Sequence, residues 1–163
     1  MESHADLVYA ALDDDAMWQF FPAFRPKSLE ALRERYRRFA AGYPDCDRKQ
    51  SWENWTAFLR DDAQPVGAMQ ATIEFAHNAA HIAYAIHREH WRKGYAAEAA
   101  RAVIEHLQSE HNVLAVFAEM NTANQASVGL IESLGFRRVE HRIQVDSGNG
   151  LLGDEFLYEL LTR

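Results

Sequence analysis

The chain is organised by residues 87–99, which read His87-Arg88-Glu89-His90-Trp91-Arg92-Lys93-Gly94-Tyr95-Ala96-Ala97-Glu98-Ala99. An apolar run from Ile82 to Ile86 comes before this stretch and predicts a strand, and residues at helical spacing follow it. The free N–H groups of the first helical turn and the positive end of the helix dipole then point to one place. This arrangement favours a phosphate group as ligand, although ordinary loop chemistry also places a glycine before a helix.

The helix after this loop has one apolar face. Its members recur at helical spacing: Ala96, Ala99, Ala100, Val103, Ile104 and Leu107. A dinucleotide-binding fingerprint needs three glycines at fixed spacing, and Gly94 stands alone in its loop. The Gly-Lys-Ser/Thr of a P-loop is also absent from the sequence. The identity of the phosphate-bearing ligand therefore depends on the rest of the chain.

The composition is that of an ordinary globular chain. Its 163 residues suit a single domain over residues 1–163, with 48% hydrophobic and 25% charged residues. The net charge of -7 argues against a nucleic-acid partner, which requires a basic surface. Cys46 is the only cysteine, so no internal disulfide forms, which fits a cytoplasmic location. No apolar run reaches the roughly 18 residues of a membrane span, so we expect no membrane partner.

The remaining pattern predicts a mixed α/β order on one sheet. Helices are expected near Ser3 and from Ser28, as its N-cap, to about Ala40. Three strand-like runs then form an antiparallel meander: from Trp52, from the turn at Pro65 and Gly67, and from His81 to His87. After the Gly94 helix come a strand, a helix and two strands: Val113 to Met120, Asn124 to Leu134, Phe136 to Val145 and Glu155 to Leu161. Gly135 is expected to cap the last helix in a left-handed conformation, and residues 146–150 are expected to form the final turn.

A second segment adds to the first. It reads Asn121-Thr122-Ala123-Asn124-Gln125-Ala126-Ser127 and then Ile131-Glu132-Ser133-Leu134-Gly135-Phe136. With the loop from Trp91 to Ala96, it resembles the GNAT superfamily of acetyl-CoA-dependent N-acyltransferases. The segment itself is similar to the Asn-x-x-Ser … Leu-Gly-Phe signature of the branch that contains ribosomal-protein N-terminal acetyltransferases. The resemblance covers roughly Trp52 to the C-terminus, and it implies a central, mostly antiparallel, splayed sheet flanked by helices.

The sequence departs from this family in three places. Trp91 replaces the usual Gln or Arg of the loop, and Ala96 replaces its second glycine. The family begins with a strand, whereas this chain starts almost directly at its first helix, so either the first strand is missing or the sequence starts late. A bare sheet edge would then run near Trp52. We expect either a short edge guarded by Arg60, Asp61 and Asp62, or pairing with a second chain as a homodimer.

The resemblance implies acetyl-CoA as cosubstrate and a primary amine as acceptor, with direct attack in a ternary complex. Backbone amides of residues 92–97 would hold the pyrophosphate, and Gly94 would let the main chain approach closely. Main-chain groups of residues 86–88 would bind the pantetheine amides and the thioester oxygen. The implied CoA contacts are Ile86, His87, Arg88, Arg92, Lys93, Gly94, Tyr95, Ala96, Ala97, Asn124 and Ser127.

The chemistry also needs a base and an acid. An amine is mostly ammonium at neutral pH and must lose a proton before attack. By resemblance, Glu119 is the first choice as base and Glu74 the second, although either carboxylate would also suit an edge strand facing water. Ser127 matches the branch's serine near the CoA sulfur, where it could protonate the thiolate, or it could simply bond locally in its helix. The superfamily's alternative acid, a tyrosine, is replaced by Ile131.

Other features allow other functions. His77, His81, His87 and His90 lack the spacing and the companion ligands of a metal site, so we expect surface or packing histidines and no metal. Trp18, Phe20, Phe21 and Trp55 suit either an acceptor cleft or the core. A catalytically silent GNAT-fold sensor or scaffold that binds acyl-CoA is the alternative to an acetyltransferase. An unrelated α/β binding protein with a chance motif is the third possibility.

Overall fold

The computed structural model describes residues 3–41, 49–61, 63–146 and 152–162. Cys46, Asp62 and most of the predicted turn over residues 146–150 lie outside the described residues. The four α-helices are α1 (Ser3–Val8), α2 (Leu29–Ala41), α3 (Tyr95–His111) and α4 (Gln125–Ser133). The six strands are β1 (Gln50–Phe58), β2 (Pro65–Glu74), β3 (Ala79–Ile86), β4 (Ala115–Asn121), β5 (Arg137–Asp146) and β6 (Leu152–Leu161). None of the described helices is long and apolar enough to cross a membrane.

The strands form one sheet in the order β1-β2-β3-β4-β6-β5. The first three strands are the predicted antiparallel meander, with Trp52 opposite Thr72 and Thr72 opposite His81. The strands β4, β6 and β5 are also antiparallel to one another. The predicted mixed, mostly antiparallel sheet flanked by helices is therefore confirmed.

The single parallel contact of the sheet, between β3 and β4, is short. It pairs Ala79–His81 with Ala115–Phe117, whereas β3 continues to Ile86 and β4 to Asn121. No hydrogen-bonded ladder joins the carboxyl ends of these two strands, which shows that they separate beyond this pairing. A gap therefore opens in the middle of the sheet, as the family resemblance predicted.

The two faces of the sheet are covered differently. The main core lies between the sheet and the helices α3 and α4, where Leu107 and Ile131 are fully buried. A second, small cluster packs α1 against α2 around Ala5, Val8 and Leu32. The α1–α2 side of β3 and β4 remains partly open, since Ala83 and Glu119 are exposed there. The gap is therefore accessible to solvent from this open face.

Local sequence signals explain the helix ends. The Ser28 hydroxyl accepts a hydrogen bond from the Ala31 amide at 3.1 Å, as expected of the N-cap of α2. Gly135 has a φ of 92°, which confirms the left-handed cap after α4. In the described part of the chain α1 begins at Ser3 and no strand precedes it. The strand β1 therefore forms an outer edge of the sheet.

Candidate active site

The loop before α3 presents free main-chain groups. Gly94 is the N-cap, has a φ of 88° and offers no side chain to the first-turn amides. Its own carbonyl accepts from the amides of Ala97 at 3.0 Å and Glu98 at 3.1 Å. A Cβ at Gly94 would meet nothing within 4 Å, so the glycine is required for its backbone conformation rather than for space. The loop suits an anion bound by the amides that precede Ala97.

Charged side chains surround this loop without entering the core. Arg92 and Lys93 are exposed, and Arg92 also has a positive φ of 61°. The predicted phosphate-binding residues 92–96 lie together at the N-terminus of a helix of 17 residues, whereas the amide of Ala97, also predicted to bind phosphate, is hydrogen-bonded to the Gly94 carbonyl.

The main chain at the end of β3 points into the gap. The His87 amide donates to the Val66 carbonyl of β2 at 2.8 Å. Because hydrogen-bonded and non-hydrogen-bonded pairs alternate along an antiparallel ladder, the N–H and C=O of Ile86 point away from β2. The Trp91 indole N–H reaches this Ile86 carbonyl at 2.7 Å. Among residues 86–88, the Ile86 amide is therefore directed at the gap, whereas the His87 amide is held by the sheet.

The side chain of His87 has a structural position. It is 2% exposed, and its Nδ1–H donates to the Pro65 carbonyl at 2.9 Å. Burial lowers the pKa of His87, since the charged ring would lose its hydration. The ring of His90, also buried, packs 6.5 Å from that of His87 and 5.8 Å from that of Tyr95. These rings form a packed layer under the loop rather than a ligand set.

The start of α4 places Ser127 beside Tyr84 of β3, which was not predicted as a site residue. The Asn124 side chain caps α4 by accepting from the Ser127 amide at 3.2 Å, as predicted. The Ser127 side chain is close enough to Tyr84 of β3 to influence the pKa of its phenol. Burial nevertheless raises that pKa, and the Tyr84 hydroxyl has no hydrogen-bond partner within the described ranges. Ile131, at the superfamily's tyrosine position, is fully buried in the core.

Alternation along β3 explains why Tyr84 reaches this place. Tyr84 lies opposite the buried Met69, so it faces α3 and α4. Its main chain belongs to the same non-hydrogen-bonded set as Ile86 and also points towards the gap. The sequence does contain a signal for this placement. Tyr84 lies between Ile82 and Ile86 at alternate positions, so all three residues share one face of the strand.

Glu119 lies on the other face of the sheet at the mouth of the gap. Its side chain is 41% exposed and lies 3.1 Å from the Arg142 guanidinium. His81 Nδ1 is 3.9 Å from the same carboxylate, and the His81 ring stacks on Phe117. Glu74 instead lies opposite Ala79, at the end of the sheet where β3 and β4 remain paired. Of the two predicted bases, Glu119 is the one that borders the gap.

The N-terminal segment approaches the end of β3. A pocket of about 270 Å³ is lined by Ala10, Ala11, Asp13, Asp14, His87, Arg88 and Glu89. Trp18 and Trp55, two of the aromatic residues proposed for an acceptor cleft, do not line it: Trp18 is buried and bonded to the Leu12 carbonyl at 2.8 Å, and Trp55 packs on the main core. The pocket walls are instead of mixed character, and Asp14 lies 3.5 Å from the Arg88 guanidinium within them.

Comparisons with known proteins identify the family. Residues 1–137 match the family model described as Acetyltransferase (GNAT) domain. The chain is 25% identical to the uncharacterized N-acetyltransferase YoaA of Bacillus subtilis (strain 168) over 161 residues, which cover 98% of this chain and 89% of that protein. The chain therefore belongs to the GNAT acetyltransferase family, which confirms the predicted class of enzyme.

Solved structures share the fold at low sequence identity. Spermidine N-acetyltransferase from Vibrio cholerae, in complex with CoA and spermine, has a TM-score of 0.79 at 17% identity, with 98% of this chain and 90% of that one covered. The ribosomal L7/L12 alpha-N-protein acetyltransferase RimL has a TM-score of 0.83 at 18% identity, with 99% and 87% covered. These likenesses extend over nearly the whole chain and concern its fold.

Proposed function

We propose that this protein transfers the acetyl group of acetyl-CoA to a primary amine by direct attack in a ternary complex. The observation that carries the proposal is the gap between β3 and β4, bordered by free main-chain groups, an anion-binding loop and acid–base side chains. Both substrates can meet there, because the gap is open to the α1–α2 side and adjoins the first turn of α3. The proposal includes all the implied CoA contacts. Among them, the side chains of His87 and Arg88 have the least structural support.

The reaction needs the nitrogen to be neutral. The ammonium group would give a proton to the Glu119 carboxylate, directly or through water, and the free amine would then attack the thioester carbonyl carbon. His81, 3.9 Å from Glu119, offers a second acceptor for this proton. A new N–C bond forms as the carbonyl π electrons move onto oxygen. The Ile86 amide is directed so that it can stabilise this oxyanion, a contribution of about 3 kcal/mol for one donor.

Collapse of the tetrahedral intermediate breaks the C–S bond. The leaving CoA thiolate would take a proton from the Ser127 hydroxyl, with Tyr84 beside it as a further donor, and the second proton of the attacking nitrogen would return to that hydroxyl, directly or through water. Burial raises the pKa of the Tyr84 phenol and keeps it protonated, so that it can donate. The products are an N-acetyl amine and free CoA, with the ammonium proton passed to the base.

The net charge of -7 favours a cationic substrate. Of the three carboxylates that line the pocket next to the end of β3, Asp13 and Asp14 already pair with Arg25 and Arg88, at 2.6 and 3.5 Å. Relatives of this fold are named for spermidine and for the ribosomal protein L7/L12, and both offer an amine. We expect a small amine or a protein N-terminus as acceptor. A homodimer through the outer edge of β1 and a cytoplasmic location complete the proposal.

The experiment is a direct assay for free thiol. The protein is mixed with acetyl-CoA and a panel that contains spermidine, single amino acids and a peptide with a free N-terminus. Thiol release that depends on one class of amine supports the proposed enzyme. Tight CoA binding without release, across the whole panel, would support the silent acyl-CoA sensor instead. Absence of CoA binding by calorimetry would contradict both functions.

A further inference from the structure

A histidine–glutamate cluster joins β1 to the end of α3. Glu53 of β1 faces the helix layer, because it lies opposite the buried Ala71. One oxygen of its carboxylate lies 2.8 Å from His106 Nε2, and the other lies 2.7 Å from His111 Nε2. The three ligating atoms all lie within 4.8 Å of one another. Within the described residues, this is the one group of three such side chains close enough to share a metal ion.

The ligand set has a clear chemical preference. Two imidazole nitrogens and one carboxylate oxygen suit Zn²⁺ and neighbouring divalent transition metals rather than Ca²⁺ or Mg²⁺, which prefer oxygen ligands alone. Three protein ligands leave a position for water, and the His106 side chain is 39% exposed, so water can reach the ion. His111 lies in the last turn of α3, where the negative end of the helix dipole favours a cation.

The spacing of the ligands fits such an ion after a small adjustment. Zinc lies about 2.0–2.2 Å from nitrogen and oxygen ligands, so tetrahedral ligands are roughly 3.3 Å apart. The two Nε2–O distances of 2.8 and 2.7 Å need to lengthen by roughly half an ångström. Ring contacts hold the His106 side chain in place, because the centroid of its ring lies 5.6 Å from that of Trp55 and 5.6 Å from that of His111.

We propose that Glu53, His106 and His111 bind one divalent transition-metal ion, zinc by preference, which fastens the edge strand β1 to the C-terminal end of α3. The ion is structural rather than catalytic. The Gly94 loop is at the opposite end of the 17-residue helix α3, roughly 18 Å from His106 and roughly 25 Å from His111 along its axis. Zinc therefore stabilises the folded chain by binding it in preference to the unfolded chain.

The test uses the full chain without a histidine tag, dialysed against a chelator and titrated with zinc chloride by calorimetry. We expect one zinc ion per chain and a rise in the thermal unfolding midpoint when zinc is added. His106→Ala and His111→Ala should each weaken binding by at least about 10- to 100-fold, the effect of losing even an outer-shell partner. Glu53→Gln, which keeps the size of the side chain, should weaken binding and retain the fold.

The matched control is His77→Ala. His77 is an exposed histidine that also lies beside a glutamate, with Nδ1 3.1 Å from Glu74, but it has no third ligand. This variant should bind zinc as tightly as the unchanged chain. Absence of one-to-one zinc binding would overturn the proposal. It would also be overturned if His106→Ala and His111→Ala bound zinc as tightly as the unchanged chain. The cluster would then be a hydrogen-bonded His–Glu–His group without a metal.

Discussion

Replacement of Gly94 by glutamate tests the anion site most directly. The substitution has two separate costs. The first is backbone strain, because Gly94 has a φ of 88° and a non-glycine residue in the left-handed region costs about 1–3 kcal/mol. The second is a negative charge beside the pyrophosphate. At roughly 4 Å, two like unit charges repel by about 1 kcal/mol in water and about 4 kcal/mol at a protein surface.

Strain lowers the stability of the fold, whereas repulsion lowers CoA affinity. No steric term is added, since a Cβ at Gly94 meets nothing within 4 Å. We therefore expect Gly94→Glu to raise the Kd for CoA by about fivefold to a thousandfold. The chain should remain folded, with a lower midpoint of thermal unfolding.

Gly135→Glu is the matched control. Gly135 is also exposed and has a φ of 92°, so the strain and the added charge are the same, but it follows α4 and lies beside Leu160 of β6. CoA titrations by calorimetry and thermal unfolding of both variants separate the two costs. Both variants should lose similar stability, and Gly94→Glu alone should lose affinity. Unchanged CoA affinity in Gly94→Glu, or an equal loss in Gly135→Glu, would refute the assignment of the loop.

Three further predictions concern protons. Glu119→Gln should reduce turnover most below the pKa of the acceptor amine and leave CoA affinity nearly intact; a larger loss in Glu74→Gln would move the base to Glu74. Ser127→Ala and Tyr84→Phe should each cost roughly tenfold or more in kcat, and the double variant should lose less than the product of both if the hydroxyls act as one unit; full activity in both single variants would exclude them as acids. Burial lowers the pKa of His87, so below the ordinary histidine pKa the unfolded chain is protonated at this residue while the folded chain is not. The free energy of unfolding should therefore decrease as the pH falls through this range, by up to about 1.4 kcal/mol per pH unit. His87→Asn should remove this slope in urea unfolding series, and an unchanged slope would show that other groups cause it.

Local sequence signals were sufficient for most of the fold. The serine before α2, the asparagine before α4 and the glycine after α4 act within one turn of the chain, and each has the predicted conformation or hydrogen bond. Strand limits were less exact. β6 begins at Leu152 rather than at the predicted Glu155, because Leu152 pairs with Asp146 across the hairpin. That pairing depends on the partner strand and leaves no local signal.

The missed site residues depend on tertiary contacts. Tyr84 and Ser127 are far apart in sequence and meet only because β3 and α4 border the same gap. Glu53 is separated from His106 and His111 by more than fifty residues, and the two histidines are five residues apart, which is no helical ligand spacing. The four histidines with an apparent metal pattern in the sequence, His77, His81, His87 and His90, do not belong to this group. The side chains that form it are aligned by the packing of α3 against β1.

Separation of β3 from β4 after Ala79–His81 places the proposed acid and base on opposite faces of one sheet. Tyr84 faces the helices with Ser127, whereas Glu119 lies opposite Leu157 on the open face. In a continuous ladder these side chains would be separated by hydrogen-bonded main chain. The gap removes that barrier, so an amine can arrive from the open face while the thiolate leaves towards α4. Under the proposed mechanism, Glu119 therefore takes the first proton from the amine on the open face, whereas the sulfur receives its proton from Ser127 or Tyr84 on the helix face.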